Sequence, residues 1–423
     1  MLDFRSNPHA DRNGWLALGV LLIVALSLPG SLFGGDKKKK AADAPKPPPV
    51  IDYSNIVWPN PPAIARIRYL AFYAAQQVSQ VEEAKNTKKQ GWMDRLAGTQ
   101  PEGESTHVLF QLAQPFGIAV DSKGQVYVAD TKVGAIFIFD TETRKAELIK
   151  NSVHAHFVRI IGLAMDDNDR LFVADAGLRH VLVFNSKHEA EDVITEGLVE
   201  PSMVAIDTNN RLLYVSDVSL DQVLVYDADT YKLLRKIGTA GHNHELTGPG
   251  EFAKPTGLAL DKEGNLYVAD TLNNRIEIFD ADGQFIRAFG KNGDGPGYFA
   301  RPKGVAIDSD GNIWVADGML DRIQVFNKDT RLLIVMGGHG LLPGQFQALV
   351  NVAADTRRNR IYTSEIYPGR VQEFRYVTEA EADQLRKERE TMRAQSAPKQ
   401  VAAPAAAEAK PPQSAAPAPD QPK

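Results

Sequence analysis

Short runs of apolar residues, each ended by an acidic residue, recur six times along the chain. An aromatic residue follows each acid nine positions later, which gives the pairs Asp130/Phe139, Asp175/Phe184, Asp217/Tyr226, Asp270/Phe279, Asp317/Phe326 and Glu365/Phe374. Successive acids are 42 to 53 residues apart, a period that suits one four-stranded propeller blade and is too long for a leucine-rich or tetratricopeptide repeat. The pattern therefore predicts an all-β fold, a six-bladed β-propeller.

The repeat around Asp270 shows how four strands follow one another. Residues 255–261 form a mostly apolar run typical of a strand buried on both faces, and residues 266–270 return after a turn. Residues 275–280 alternate with period two, as a half-exposed strand does. The hairpin signal Asp282-Gly283 then precedes a fourth strand at 285–289. Each repeat is therefore predicted to be an antiparallel meander.

The sixth repeat offers no fourth strand, because the residues after 377 are helical in composition. A strand pattern without a nearby hairpin partner lies far upstream, where Ile67, Tyr69 and Ala71 alternate with Arg66 and Arg68. We expect this segment to complete blade six and close the ring, which would remove two exposed sheet edges.

These patterns divide the chain into five regions. Residues 1–36 hold an N-terminal tail and membrane segment, 37–60 a Lys/Pro-rich linker, 61–377 the propeller, 378–393 a short helix and 394–423 an Ala/Pro-rich disordered tail. Within the propeller, the closing strand is predicted at 64–72, a crossover at 73–112 and the blades at 113–377.

Two repeats resemble a known family closely, the NHL-repeat β-propellers. Residues 255–261 and 302–308 read Pro-Thr-Gly-Leu-Ala-Leu-Asp and Pro-Lys-Gly-Val-Ala-Ile-Asp, and each is followed by Gly-Asn, a Val-Ala-Asp strand end and an Arg-Ile strand start. Met203 and Asn351 stand where the family has Gly. The stretch from Pro61 also resembles the start of bacterial cell-envelope members, many of them membrane-anchored. The resemblance implies a binding role without fixing a ligand.

Composition limits the classes of partner. The formal net charge is −5 and the pI is about 6.0, so no overall basic field favours nucleic acid, and the RNA binding of some animal relatives is disfavoured. The chain has no cysteine, which excludes disulfides, thiolate zinc sites, a cysteine nucleophile and a lipoprotein acceptor.

An uncharged stretch at residues 15–33 is close to the length of about 20 residues that spans a bilayer as a helix. It is one membrane span or a signal sequence, and the lack of Ala-x-Ala before Gly34 favours an uncleaved anchor. Lys37–Lys40 would place the following domain in the cytoplasm by the positive-inside rule, whereas the Pro-rich spacer at 44–50 suits the periplasm. We expect a single-pass inner-membrane protein with a periplasmic propeller.

One end of the ring collects most of the candidate chemistry. The loops between second and third strands (such as 271–274) and the loops that join blades emerge at this end, which we call the loop face; the hairpins between first and second strands (such as 262–265) emerge at the other, the hairpin face. The candidate binding residues of the loop face are Arg275, Arg322, Arg370, Asp270, Asp317, Glu365, His154, His156, His180, His242, His244 and His339.

Two interpretations of the arginines remain open. Three guanidiniums from adjacent blades can receive an anionic or carboxylate ligand through paired hydrogen bonds, or each can pair with the acid five residues before it and fasten a loop.

The histidines also allow two interpretations. Amidating lyases with this fold bind zinc through histidines in the central cavity, and His180 occupies a comparable position, but the equivalent positions in three other blades are arginines. The alternative is surface histidines in Gly-rich loops. Residues 308–312 resemble a calcium loop, yet Met319 stands where a bidentate Glu is required, so this segment is predicted to be a hairpin turn.

The sequence thus predicts a membrane-anchored binding or scaffold module for a protein, peptide or glycan partner in the cell envelope. No cofactor is expected, although zinc or calcium is compatible with the residues present. The alternative function is that of a metal-assisted lyase or hydrolase on the same face.

Overall fold

The computed structural model describes residues 52–78, 108–143, 145–152, 155–239 and 248–396. They form six sheets arranged as the blades of a propeller, together with one small additional sheet and one helix. The six-bladed all-β architecture predicted from the repeats is therefore confirmed.

The strands before the first blade are β1 (Val57–Trp58), β2 (Ile67–Tyr73), β3 (Ala75–Val78) and β4 (Val108–Gln111). The first, inner strands of blades one to six are β5 (Pro115–Val120), β9 (Ile160–Met165), β13 (Pro201–Asp207), β17 (Pro255–Leu260), β21 (Pro302–Ile307) and β25 (Leu349–Asp355). The second strands are β6 (Val126–Asp130), β10 (Leu171–Asp175), β14 (Leu212–Asp217), β18 (Leu266–Asp270), β22 (Ile313–Asp317) and β26 (Arg360–Glu365).

The third strands are β7 (Ala135–Phe139), β11 (His180–Phe184), β15 (Gln222–Asp227), β19 (Arg275–Phe279), β23 (Arg322–Phe326) and β27 (Arg370–Tyr376). The outer strands of the first five blades are β8 (Ala146–Ile149), β12 (Ala190–Ile194), β16 (Leu233–Ile237), β20 (Phe285–Phe289) and β24 (Leu332–Gly337). Within every blade the neighbouring strands are antiparallel, as the meander prediction requires.

The closing strand comes from the N-terminal side of the propeller. β2 pairs antiparallel with β27, with Ile67 opposite Tyr376 and Tyr73 opposite Val371. Its residues alternate between buried and more exposed positions, because only one face packs against the core. The predicted closure of blade six is confirmed, although the strand begins and ends slightly later than the expected range 64–72.

Two features near this closure were not predicted. β1 adds a fifth strand to blade six by pairing with β2, and β3 pairs with β4 inside the segment that was expected to be a plain crossover. The remainder of that crossover, residues 79–107, lies outside the described residues. These short strands have no repeat of their own, so no period in the sequence marks them.

The apolar core of the described residues lies between blades. Each of six buried clusters draws on two adjacent blades, as where Tyr267 and Ile276 of blade four pack with Val305 and Ile313 of blade five. Neighbouring inner strands come so close that a Cβ added to Gly257 would lie 2.5 Å from the carbonyl oxygen of Lys303. This contact explains why the repeat has glycine in the middle of an otherwise apolar strand.

The helix α1 (Glu379–Ser396) follows blade six and ends three residues later than predicted. Within the described ranges, no helix is long and apolar enough to cross a membrane. Residues 15–33, 37–51 and 397–423 lie outside those ranges, so the predictions of a membrane segment, a linker and a disordered tail stay predictions.

Candidate functional site

The repeat acids organise the loop face. Asp130 is fully buried, and its carboxylate accepts hydrogen bonds from the backbone N–H groups of Ala113, Gln114, Lys132 and Val133 at 2.6–3.1 Å. One carboxylate thereby joins the loop after the second strand to the segment that leads into the first strand. The acids of blades two, three and five make the same set of contacts. The acid in each repeat is thus a structural residue.

The arginines at the start of the third strands also bond to the protein itself. The guanidinium of Arg370 pairs with Glu365 at 3.0 Å and donates to the carbonyl oxygens of Leu341 and Gln345, both at 2.7 Å. Arg275 pairs with Asp270 at 2.8 Å and donates to carbonyl oxygens of its own joining loop. Their side chains are 6% and 13% exposed. These contacts match the interpretation in which the arginines fasten loops.

Arg322 of blade five fastens its loop without the acid. It donates to the carbonyl oxygen of Gly295 at 3.0 Å, but it forms no ion pair with Asp317, and its buried Nε has no hydrogen-bond partner among the described residues. The five-residue spacing is the same in all three blades, but an ion pair accompanies it only in blades four and six.

In each of the third strands β19, β23 and β27, a second polar residue also forms hydrogen bonds with the loop that joins the blades. Gln324 and Gln372 are fully buried; each side-chain oxygen accepts from a loop glycine N–H, and each side-chain amide donates to a loop carbonyl oxygen. Glu277 takes this position in blade four and accepts from the N–H of Gly250 at 2.8 Å. We call the Arg and the Glu or Gln two residues later the loop clamp.

The sequence contains a signal for the loop clamp that was missed. The three clamped loops carry Pro-Gly-x-Phe, which ends at Phe252, Phe299 and Phe346, and these phenylalanines are fully buried. One of these loops contains the glycine-rich stretch at 290–297. Each Pro-Gly-x-Phe loop is followed by Arg-x-Glu or Arg-x-Gln at the start of the third strand of the next blade. This combination of motifs would have indicated that the loop is bonded to that strand.

The described histidines do not come together. Nδ1 of His339 lies 2.8 Å from Oδ2 of Asp321, and this imidazole is 70% exposed. Nε2 of His180 is buried without a hydrogen-bond partner among the described residues, and burial lowers the pKa of this side chain while Asp175 acts in the opposite direction. His156 is exposed.

A metal site finds no support in the part of the chain that the structure describes, since no group of three or more His, Cys, Asp or Glu residues there is placed to hold a metal ion. His154, His242 and His244 lie outside the described residues, so a zinc site that includes them is untested. The calcium-like stretch is a hairpin turn, as predicted, because Asp308 accepts from the N–H groups of Asp310 and Asn312 and from Trp314.

The cavities at the centre of the ring are lined by inner strands and by residues of the hairpin face. A cavity of about 240 Å³ is lined by inner-strand residues such as Ile118, Leu258 and Val352. A further cavity of about 410 Å³ shares several of these residues and reaches Asp166 and Arg357 of the hairpin face. No nucleophile and base are hydrogen-bonded to each other in either lining, which gives the enzyme interpretation no geometric support among the described residues.

Exposed apolar side chains distinguish the two faces. Met319, Leu341, Leu342 and Tyr367 are 64%, 51%, 66% and 56% exposed, and all belong to loop-face loops of blades five and six. The His339–Asp321 and Arg370–Leu341 contacts join these loops. Of the other large apolar side chains that are exposed in the described residues, none lies on the hairpin face. We call these four residues the apolar ridge.

The hairpin face carries ion pairs instead. Arg211 pairs with Asp167 at 3.1 Å and with Asp229 at 2.6 Å, and Arg170 pairs with Asp166 at 2.7 Å. The two carboxylates that pair with Arg211 are more than half exposed, and such solvated pairs contribute little to association with an apolar partner. The two faces thus differ in chemistry, which could not be read from the sequence because exposure depends on how the loops fold back.

Two family models match the chain. One is described as a 6-bladed beta-propeller and matches residues 262–336, and the other is the NHL repeat, which matches residues 112–139. A solved structure of a structural-genomics protein of unknown function from Bacteroides thetaiotaomicron is 17% identical, with a TM-score of 0.50 over 62% of this chain and 70% of that chain.

Curated relatives match over short segments. Protein lin-41 of Caenorhabditis elegans is 50% identical over 42 residues, which is 10% of this chain and 4% of that protein. The probable peptidyl-alpha-hydroxyglycine alpha-amidating lyase pgal-1 of the same organism is 40% identical over 91 residues, 20% of this chain and 24% of that protein. The chain thus spans less than a quarter of the length of either relative.

The fold and these matches define the class of the protein as a six-bladed β-propeller. Within that class, the NHL-repeat model matches the first blade, and the described blades repeat the same strand order.

Proposed function

We propose that this protein is a binding module that holds a protein partner on its loop face through the apolar ridge. The observation that carries the proposal is the restriction of Met319, Leu341, Leu342 and Tyr367 to one face, each more than half exposed. Exposed Tyr and Met side chains favour a protein or peptide partner over a glycan, which needs more polar donors and acceptors.

The loop clamps support this role. They hold the joining loops of blades four to six through buried hydrogen bonds, so the ridge is presented on a rigid base. A rigid surface loses less conformational entropy when it binds, which favours affinity. The candidate site thereby shifts from the arginines themselves to the exposed side chains that their loops carry.

We further propose that the propeller works in the cell envelope, anchored through residues 15–33 with the blades in the periplasm. The uncharged length of that segment and the Pro-rich spacer after it support this placement. A metal-assisted lyase or hydrolase is the less supported alternative, because the described residues contain no group that could hold a metal ion.

Site-specific photocrosslinking tests the proposal. A photoreactive amino acid is placed at Leu342 or Tyr367, and in matched controls at Leu234 or Leu333, which are 49% and 51% exposed on outer strands. We expect a discrete protein adduct in intact cells from the ridge positions alone. The double variant Met319→Ser/Leu342→Ser should remove the adduct from position 367.

Adducts of equal yield from the outer strands would contradict the proposal, as would ridge positions that crosslink to nothing. An adduct from position 367 that persists in the double variant would show that the ridge is not the attachment point.

A further inference from the structure

Lys303 is an unusual residue in its position. It is the second residue of the inner strand β21, and the residues at this position in the other five blades are uncharged: Phe116, Ile161, Ser202, Thr256 and Val350. Among the described inner strands, Lys303 is therefore the only cationic residue at the second position.

The stem of Lys303 extends toward the apolar ridge. A Cβ added to Gly318 would lie 2.9 Å from Cδ and 3.0 Å from Cε of Lys303, so the lysine chain fills the space over this glycine. Gly318 directly precedes Met319 of the ridge. The lysine stem thus lies against the residue that precedes Met319 on the loop face.

The charges that surround Lys303 do not neutralise it. Arg301 adds a second cation, and burial together with Arg301 lowers the pKa of Lys303. The acids that act in the opposite direction are Asp317 and Asp321. Neither is within ion-pair distance of Lys303, and no hydrogen-bond or ion-pair acceptor for its ammonium group is found among the described residues.

Both acids already have other partners. Asp317 is fully buried and accepts from four backbone N–H groups, those of Ala300, Arg301, Met319 and Leu320. Asp321 bonds to His339 at 2.8 Å and to the N–H of Leu349 at 3.1 Å. A half-buried cation without an acceptor is costly unless a ligand supplies one, so this place is suited to an anionic group.

We propose that Lys303 binds a carboxylate of the protein partner while an apolar side chain of the same partner segment packs on the ridge. This inference rests on the proposed function and specifies the chemistry of the partner: an acidic residue or C-terminal carboxylate next to a large apolar side chain. A protein carboxylate is favoured over RNA because the chain has a net charge of −5 and the adjoining Asp321 would repel a run of phosphates.

Methyl NMR of the full-length protein tests the inference with a minimal probe. The probe is N-acetyl-leucine, which has one carboxylate and one apolar side chain, and its uncharged counterpart is N-acetyl-leucinamide. We expect the acid to shift the methyl signals of Met319, Leu341 and Leu342 with an affinity at least about tenfold above that of the amide. Lys303→Met, which keeps the aliphatic stem over Gly318, should lower the affinity for the acid to that for the amide.

The control Lys262→Gln removes an exposed cation of the hairpin face and should leave the titration unchanged. Equal shifts by acid and amide, or an unaltered response in Lys303→Met, would overturn the carboxylate site while leaving the apolar ridge in place. Absence of any shift by the acid would overturn it as well. Inorganic phosphate or hexauridylate that binds in a Lys303-dependent manner more tightly than the acid would show that the site serves a phosphate.

Failure of the proposed function has a different signature. In that case the ridge positions give no crosslinked adduct in cells, whatever the outcome of the NMR titration.

Discussion

Replacement of Glu277 by Gln is expected to stabilise the protein at neutral pH. The carboxylates of Asp270 and Glu277 are both fully buried, and both lie beside one guanidinium, that of Arg275, at 2.8 and 2.5 Å. One buried negative charge is therefore left without its own cation. Burial raises the pKa of Glu277 above its usual value of about 4.5, and burial likewise raises that of Asp270.

The neighbouring blades show that Gln fits this position. Gln324 and Gln372 accept from a loop glycine N–H at 2.7 and 2.8 Å and donate to a loop carbonyl oxygen at 2.6 and 2.8 Å. An amide at position 277 would keep the hydrogen bond from the N–H of Gly250. Removal of an uncompensated buried polar group is worth about 1–3 kcal/mol in the free energy of unfolding.

The pH dependence has a definite sign. A pKa that is raised in the folded state gives stability that is complete below the unfolded value, about 4.5 for this side chain, and is lost as the pH rises through the folded value. The difference in free energy of unfolding between Glu277→Gln and the wild-type protein should therefore be small near pH 4.5 and grow toward neutral pH. Each unit by which the pKa is raised contributes about 1.4 kcal/mol.

Urea denaturation followed by tryptophan fluorescence at several pH values between 4.5 and 8 measures this difference. The matched control is Gln372→Glu, which places a second carboxylate where Nε2 of Gln372 now lies 2.6 Å from Oε1 of Glu365, and should destabilise the protein. A Glu277→Gln variant that is no more stable than wild type at neutral pH, or a gain that does not vary with pH, would refute the reasoning.

Three further predictions follow from the same structure. Deletion of residues 67–73 should lower the free energy of unfolding by about 5 kcal/mol or more, since it removes buried side chains including Tyr69 and Tyr73 and exposes β27; an unchanged urea midpoint would contradict this. Arg370→Gln should cost about 3–5 kcal/mol in the same assay, because it leaves the carboxylate of Glu365 buried without its cation, and a loss below about 1 kcal/mol would mean that the clamp is dispensable. Alkaline phosphatase fused after residue 423 should be active if the propeller is periplasmic. Fluorescence from a fusion to a fluorescent protein that folds only in the cytoplasm would instead show that Lys37–Lys40 set the orientation.

Much of the fold could be predicted because its signals are local. The outer strand Phe285–Phe289 was predicted with the bounds that the structure has, since Asp282-Gly283 and the alternation before it depend on a few adjacent residues. The position of His180 and of the three arginines at the start of third strands follows from the same register. The face on which these residues lie was predictable too, because strand order alone decides at which end a loop emerges.

The role of those residues was not predictable, because it depends on contacts between distant parts of the chain. Two roles were open for Arg370, and the choice depends on the loop of Leu341, 29 residues earlier, whose carbonyl oxygen accepts a hydrogen bond from its guanidinium. Arg322 has the same spacing to its acid but makes no ion pair with it.

The repeat, the blades and the closing strand could thus be predicted without a structure, since backbone hydrogen bonding and period-two burial repeat with the residues that encode them. Which side chains a partner can reach depends on the packing of the folded chain. The exposure of Met319 and Leu342, and the absence of an acceptor for Lys303 among the described residues, depend on how loops of adjacent blades pack together. The energy of that packing is shared among residues far apart in the chain, so no local pattern records it.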